Sequence, residues 1–224
     1  MVKQHNNFDA TRPFQARDGT ALGLILVFTL ITAACGGGGN KQIQPVYDPK
    51  TGKLQLLKYD SNNDGKPDTF SYMDGSRVLR IEIDQDEDGK IDRWEYYDDT
   101  QKVIKVGFSR ANDGKEDAWS FTGPDGAINR IDYSTRRDGK VTRTEHYDKS
   151  ALISAEEDTD EDGTIDKWET YENGYMTSVA YDTLHRGTPD RRFIYGANGF
   201  VRAEFDPDGT GRFVPAPPQP APQQ

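Results

Sequence analysis

Between residues 47 and 213 the polar and apolar positions alternate in steps of two and do not follow a helical period. Trp94 and Tyr96 point one way while Arg93, Glu95 and Tyr97 point the other, and Phe70 with Tyr72, Trp119 with Phe121, and Trp168 followed by Thr170 repeat the pattern. Turn signals close each alternating run: Asp74-Gly75, Asp99-Thr100, Asp125-Gly126, Lys149-Ser150, Asn173-Gly174 and Asn198-Gly199. The return segments Leu79–Ile83 and Ile104–Phe108 alternate again and carry β-branched residues. Every connection is short, so neighbouring strands must run antiparallel. The pattern predicts an all-β fold, an antiparallel β-meander or hairpin repeat array, either one elongated sheet or a solenoid-like stack.

A second rhythm lies over the first. An Asp-Gly or Arg-Gly step, or its neighbour, returns at Gly65, Gly89, Gly114, Gly139, Gly163, Gly187 and, more weakly, Gly209, at intervals of 24, 25, 25, 24, 24 and 22 residues. That regularity marks an internal repeat of about six to seven units. Hydrophobic residues make up 33% of the chain, which is little for a thick two-layer core and enough for a thin repeat structure.

Two of the glycine steps sit inside a fuller pattern. Asp84, Asp86, Asp88 and Asp92 fall at positions 1, 3, 5 and 9 of a twelve-residue stretch, Gly89 at position 6, Lys90 at position 7 and Glu95 at position 12. The same spacing recurs in Asp158, Asp160, Asp162, Thr164, Asp166 and Glu169 around Gly163. Alternate residues of a curled loop face one centre, and a hard cation wants six to eight oxygens there. Four carboxylates within nine residues repel one another without a cation. The plain alternative is an acidic hairpin turn that needs no metal.

These stretches resemble the EF-hand loop, down to Ile91 and Ile165 at position 8. The resemblance implies Ca²⁺ as the cofactor, held by Asp84, Asp86, Asp88, the Lys90 carbonyl, Asp92 and Glu95, and by Asp158, Asp160, Asp162, the Thr164 carbonyl, Asp166 and Glu169. It covers the loops alone, because the flanks Arg80–Ile83 and Trp94–Tyr97 have strand character where an EF-hand needs amphipathic helices. Asp60, Asn62, Asp64 and Asp68 keep four ligands of a weaker site in which Ser71 replaces the closing Glu. The loops around Gly114, Gly139 and Gly187 read as metal-free: Arg136 stands at a ligand position in one, and Leu184 and Arg186 in another. Glu204, Asp206 and Asp208 begin a last loop in which Arg212 takes position 9.

Residues 1–34 read as a signal peptide: Lys3, Arg12 and Arg17 precede the apolar run Ala21–Ile31. Thr32-Ala33-Ala34-Cys35 then resembles a bacterial lipoprotein lipobox, which implies lipidation of Cys35, the chain's only cysteine, and contact with a membrane through its acyl chains. Gly36 at the next position lacks the Asp that favours inner-membrane retention in that family, so the outer membrane is the expected location within the cell envelope. Residues 35–46 form a Gly-rich tether and 214–224 a Pro-rich tail.

Removing residues 1–34 moves the formal charge from −10 to −11, and so acidic a chain excludes nucleic acid as a partner. With Cys35 acylated, no thiol remains for a zinc site or a nucleophile. Neither a catalytic relay nor a phosphate-cradling loop is visible, so the sequence reads as no enzyme. The expectation is a lipid-anchored calcium-binding repeat protein with a structural metal, acting as a binding or scaffolding protein toward a protein or glycan partner. One alternative is a carbohydrate- or choline-binding module that stacks ligands on the aromatic stripe; another is a helix-loop-helix calcium sensor.

Overall fold

The computed structural model describes residues 42–216. The signal segment, Cys35, most of the tether and the tail beyond Ala216 lie outside the described residues. Fifteen strands, from Ile43–Tyr47 to Val214–Pro215, pair antiparallel in chain order and form one open sheet. Among the described residues there is no helix, so both complete acidic loops are flanked by strands: Arg77–Ile83 and Arg93–Tyr97 for one, Ala151–Glu157 and Lys167–Glu172 for the other. The helix-loop-helix alternative does not describe these two loops.

A meander places its connections alternately on two edges. Tight hairpin turns occupy one edge and the glycine-centred loops the other. Each hairpin carries a bulge at the same place: the register shifts between Tyr72 and Met73, and again between Tyr96 and Tyr97. Leu79 and Ile104 are the extra residues left without an opposite number, and both are exposed. A bulge adds local twist, and its repetition keeps successive hairpins equivalent.

Among the described residues the sheet has no second layer to bury a face against. Its buried apolar side chains are few and small or isolated: Met73, Trp94, Val106, Ala118, Ala155, Val179 and Ala180. Long polar side chains lying flat on the sheet do the rest of the covering. On one face Tyr72, Arg80, Tyr96, Lys105, Phe121 and Arg130 are consecutive cross-strand neighbours, with Arg80 4.3 Å from the Tyr72 ring centre, Lys105 3.8 Å from Tyr96 and Arg130 3.9 Å from Phe121. On the other, Arg143 pairs with Glu145 (3.1 Å), Glu157 (3.2 Å) and Glu169 (2.7 Å) from three different strands.

The most deeply buried groups lie at the loop edge instead. Asp60, Asp117 and Asp206 are almost fully enclosed, and Asp84, Asp92 and Asp158 are 8–9% exposed. The backbone explains why. The N–H of Asp84 donates to the carbonyl of Asp68 (2.8 Å), and that of Asp158 to Thr142 (2.8 Å). Each loop's first residue thus bonds to the ninth residue of the loop before it, so the loops continue the ladder of the sheet.

Candidate metal centres

Recurring bonds shape the loops. The glycine at position 6 donates its N–H to the side chain at position 1: Gly65 to Asp60, Gly89 to Asp84 and Gly163 to Asp158, each at 2.8 Å. The side chain at position 9 accepts the N–H of position 2, as in Asp92 with Gln85 (2.7 Å) and Asp117 with Arg110 (2.9 Å). Even Ser134 and Thr142 perform these tasks where no aspartate is present, taking Gly139 N–H at 3.1 Å and Thr135 N–H at 3.2 Å. Aspartates at positions 1 and 9 therefore have a backbone role with or without an ion. Position 4 is left-handed in each loop, with φ of 64° at Glu87, 63° at Arg137 and Glu161, and 50° at His185. Such residues carry strain outside asparagine and glycine.

The seventh loop corrects the sequence reading. Gly211, not Gly209, donates to the position-1 carboxylate, and that carboxylate is Asp206 (2.8 Å). The last interval is then 24 residues, in step with the others, and Glu204 belongs to a strand, where Arg192 and Arg202 hold it.

What separates the complete loops from the rest is the second oxygen at position 1. In the loop at Asp60 both carboxylate oxygens are satisfied, Oδ1 by Asp64 N–H (3.1 Å) and Oδ2 by Gly65. Asp182 is filled likewise by Arg186 N–H (3.0 Å) and Gly187 N–H (2.6 Å), and Asp206 by Thr210 and Gly211. In the two complete loops the position-5 N–H turns instead to position 3, Asp88 to Asp86 and Asp162 to Asp160, both at 3.2 Å. Oδ1 of Asp84, of Asp92 and of Asp158 is then buried with no hydrogen-bond partner. A buried carboxylate oxygen left unpaired costs about 1–3 kcal/mol or more, so these three atoms are free to accept from a positive group.

The structure gathers the acids accordingly. Oxygens of Asp84, Asp86 and Asp92 lie within 4.8 Å of one another, and so do those of Asp158, Asp160 and Asp166. These groups could hold a metal ion. Asp88 stands apart because Lys90 Nζ holds its Oδ2 at 2.9 Å, and that bond keeps its carboxyl below the usual range. Asp60, Asn62, Asp64 and Asp68 are not drawn into such a group: Asp68 is held by Ser61 and Thr69, and Asn62 by Glu87.

Glu95 and Glu169 lie on strands, away from the grouped acids. Glu95 takes Arg93 (2.8 Å) and the Tyr97 hydroxyl (2.7 Å), while Glu169 takes Arg143 (2.7 Å), Lys167 (2.8 Å) and Tyr171 (2.9 Å). Burial would raise the Glu169 carboxyl, but the two cations outweigh it and hold it below its ordinary value. Burial, then Glu116, pushes the Tyr96 hydroxyl up to about 12. Three rings of the stripe, Tyr72, Tyr96 and Phe121, are thus engaged by basic side chains on their faces, and the hydroxyls of Tyr72 and Tyr96 by Glu82 and Glu116.

In a loop short of carboxylates, arginine supplies the charge. Around Gly114 the enclosed Asp117 accepts Arg137 Nε (2.7 Å) and Arg110 Nε (3.3 Å), and Arg137 also pairs with Asp113. The sequence reading missed this, although Arg110 and the Arg136-Arg137 pair are its visible trace. It also missed a contact between loops. The residue at position 3 touches the residue at position 4 of the next loop: Asn62 with Glu87 (2.6 Å), Asp86 with Asn112, Arg136 with Glu161, and Asp160 with His185 (3.9 Å).

No protein-family model matches the chain. No curated protein matches it either. Part of the chain is similar to parts of solved structures. These include accessory secretory protein 1, 2 and 3 of Streptococcus pneumoniae, with TM-score 0.36, 14% identity, and 49% of this chain and 20% of that one covered. A TarM mutant of S. aureus in complex with fondaparinux, α-GlcNAc-glycerol and UDP gives 0.26, 13%, 52% and 20%. The GtfA/B complex gives 0.30, 14%, 55% and 21%. The alignment spans about a fifth of each of those chains. This finding corrects the sequence reading of the chain as no enzyme: partial likeness to TarM and GtfA/B removes the ground for excluding an activity. Likeness this slight carries no argument about which activity, and none is assigned from it.

Proposed function

We propose that the chain is a lipid-anchored, cell-envelope protein that binds Ca²⁺ at the loops 84–95 and 158–169, with the ion serving to hold the loop edge of the sheet. The unpaired, buried Oδ1 atoms of Asp84, Asp92 and Asp158 carry this reading: among the described aspartates at positions 1 and 9, such an oxygen occurs only where the ligand spacing is complete. Asp84, Asp86 and Asp92 with the Lys90 carbonyl would hold one ion, and Asp158, Asp160 and Asp166 with the Thr164 carbonyl the other. An all-oxygen set of this kind suits a hard divalent cation with flexible geometry. Glu95 and Glu169 are left to the sheet, so these are loops with EF-hand spacing and a different closure.

An ion bound by the folded chain and not by the unfolded one stabilises it by RT ln(1 + [Ca²⁺]/Kd). Extracellular modules bind with Kd of about 10⁻⁴ to 10⁻³ M, so at millimolar calcium each loop contributes at most about 1.4 kcal/mol. In a sheet with so small an apolar core that is a large share. Lipidation at Cys35 rests on the Thr32-Ala33-Ala34-Cys35 motif and would place the array at the membrane surface. Calorimetric melting of the purified chain in EDTA and in millimolar Ca²⁺ tests the metal reading. The expected gain is at most about 10 °C; superimposed melts would refute it. Mass spectrometry of the native protein for acyl chains on Cys35 tests the other half.

A further inference from the structure

The two complete loops share a buried position-1 acid with an unpaired oxygen and differ at the outer rim. In the loop 84–95 the rim is closed: Lys90 holds Asp88, and the Asn112 amide of the next loop donates to Asp86 Oδ2. In the loop 158–169, Thr164 replaces the lysine and His185 replaces the asparagine. Among the described residues no lysine or arginine pairs with Asp162, and ligand atoms of Asp160, Asp162 and His185 lie within 4.8 Å of one another. Asp160 is common to this group and to the group it forms with Asp158 and Asp166, where the buried Asp158 Oδ1 has no partner.

We propose that the site of loop 158–169 extends to His185 and accepts a borderline divalent cation such as Zn²⁺ through that imidazole, whereas the site of loop 84–95 offers oxygen alone. The inference rests on the metal reading of the loops above and adds to it a division of selectivity. Imidazole raises affinity for zinc and nickel far more than for calcium, whose ligands are oxygens. His185 needs no rearrangement of the sheet to reach the ion. Its backbone is already fixed in the left-handed turn of the following loop, and its Nδ1 stands 3.9 Å from Asp160 Oδ2. The contact that merely joins two loops elsewhere in the array supplies a ligand here.

Isothermal titration of the purified chain with Zn²⁺ and, separately, with Ca²⁺ tests this, comparing the native protein with His185→Asn. Asparagine suits a left-handed residue, so the variant keeps the loop. The expected result is a loss of at least tenfold in Zn²⁺ affinity with Ca²⁺ affinity unchanged within twofold. In nitrogen-edited imidazole spectra Zn²⁺ should shift the ring signals of His185 and leave those of His146 in place. Zinc affinity equal in the two proteins, or a shift at His146 alone, overturns the proposal while an intact Ca²⁺ isotherm leaves the calcium reading standing. Absence of both isotherms removes the metal reading itself, and this inference with it.

Discussion

The loop at 84–95 and the loop at 109–120 occupy equivalent places in the same sheet and solve one electrostatic problem in opposite ways. Both bury an aspartate at position 9, Asp92 and Asp117, and both use it to hold the N–H at position 2. In the second loop Arg110 and Arg137 bring positive charge to the oxygens of Asp117 from within the chain. In the first no side chain does so, and Asp84 and Asp92 each keep a buried oxygen without a partner. A repeat can therefore carry its counter-charge in sequence or leave a place for it to be filled from solution. The shared Asp-x₇-Asp spacing cannot tell the two apart; what surrounds it can.

The largest expected effect comes from the arginine-held loop. Asp117→Ala removes the acceptor of two guanidinium groups and of a buried N–H, and should cost about 2 kcal/mol, or roughly 4–8 °C of melting temperature. Because the charge is internal, the loss should be the same in EDTA and in calcium. A loss that calcium restores would erase the distinction between the two kinds of loop.

Next in size are Asp84→Asn and Asp158→Asn. Asparagine keeps an oxygen for Gly89 or Gly163 but gives up the charge. Each substitution should halve the calcium-dependent gain, a change of up to about 1.4 kcal/mol at millimolar calcium. In EDTA each should leave stability unchanged or raise it, since an unpaired buried carboxylate has gone. Asp182→Asn, in a loop whose oxygens are already filled, should leave the calcium response as it is. Equal calcium effects in all three would show that burial alone, not the open oxygen, decides which loop takes an ion.

Hydrogen exchange sharpens the contrast at single residues. The N–H of Gly89 and of Gly163 bonds to the carboxylates that the ion would fix, while that of Gly139 bonds to Ser134 Oγ. Calcium should slow exchange at Gly89 and Gly163 several-fold and leave Gly139 untouched. Uniform slowing along the array would mean that the ion stabilises the whole sheet cooperatively and that the loops are not independent units.

The strands were legible because a one-layer sheet writes its period of two directly: Trp94 and Tyr96 alternate with Arg93 and Glu95 along one strand. The loop spacing was legible for the same reason, since the glycine at position 6 and the acid at position 1 are joined within one turn. The fates of Glu95 and Glu169 were not, because Arg93 and Lys167 inside the twelve residues act together with partners outside them. Tyr97 lies on the same strand two places on, but Arg143 reaches Glu169 from two strands away. Arg137 answers Asp117 across twenty residues, and His185 meets Asp160 across twenty-five. A local motif records which atoms can be ligands and is silent on which of them the neighbouring repeat has already engaged. The seventh loop shows the reverse case, where the backbone bond of Gly211 to Asp206 identifies the register that composition near Gly209 blurred.

Glu169 gives the smallest of the expected effects and a direct test of its assignment to the sheet. Burial opposes its ionisation, yet Arg143 and Lys167 hold its carboxyl below the ordinary value. A carboxyl lowered in the folded state contributes stability that is complete above its unfolded pKa of about 4.3 and is lost as pH falls through the lower folded value. Melting in EDTA, where no ion competes, should therefore fall as pH drops below the ordinary carboxylate range. Glu169→Gln should lower stability near neutrality and flatten that acid limb, because glutamine cannot lose the charge that Arg143 and Lys167 face. A carboxylate that closed the metal loop would behave otherwise: its substitution would leave the EDTA profile alone and act only when calcium is present. The pH profile of this one variant thus decides whether position 12 belongs to the loop, as its spacing suggests, or to the strand on which the fold places it.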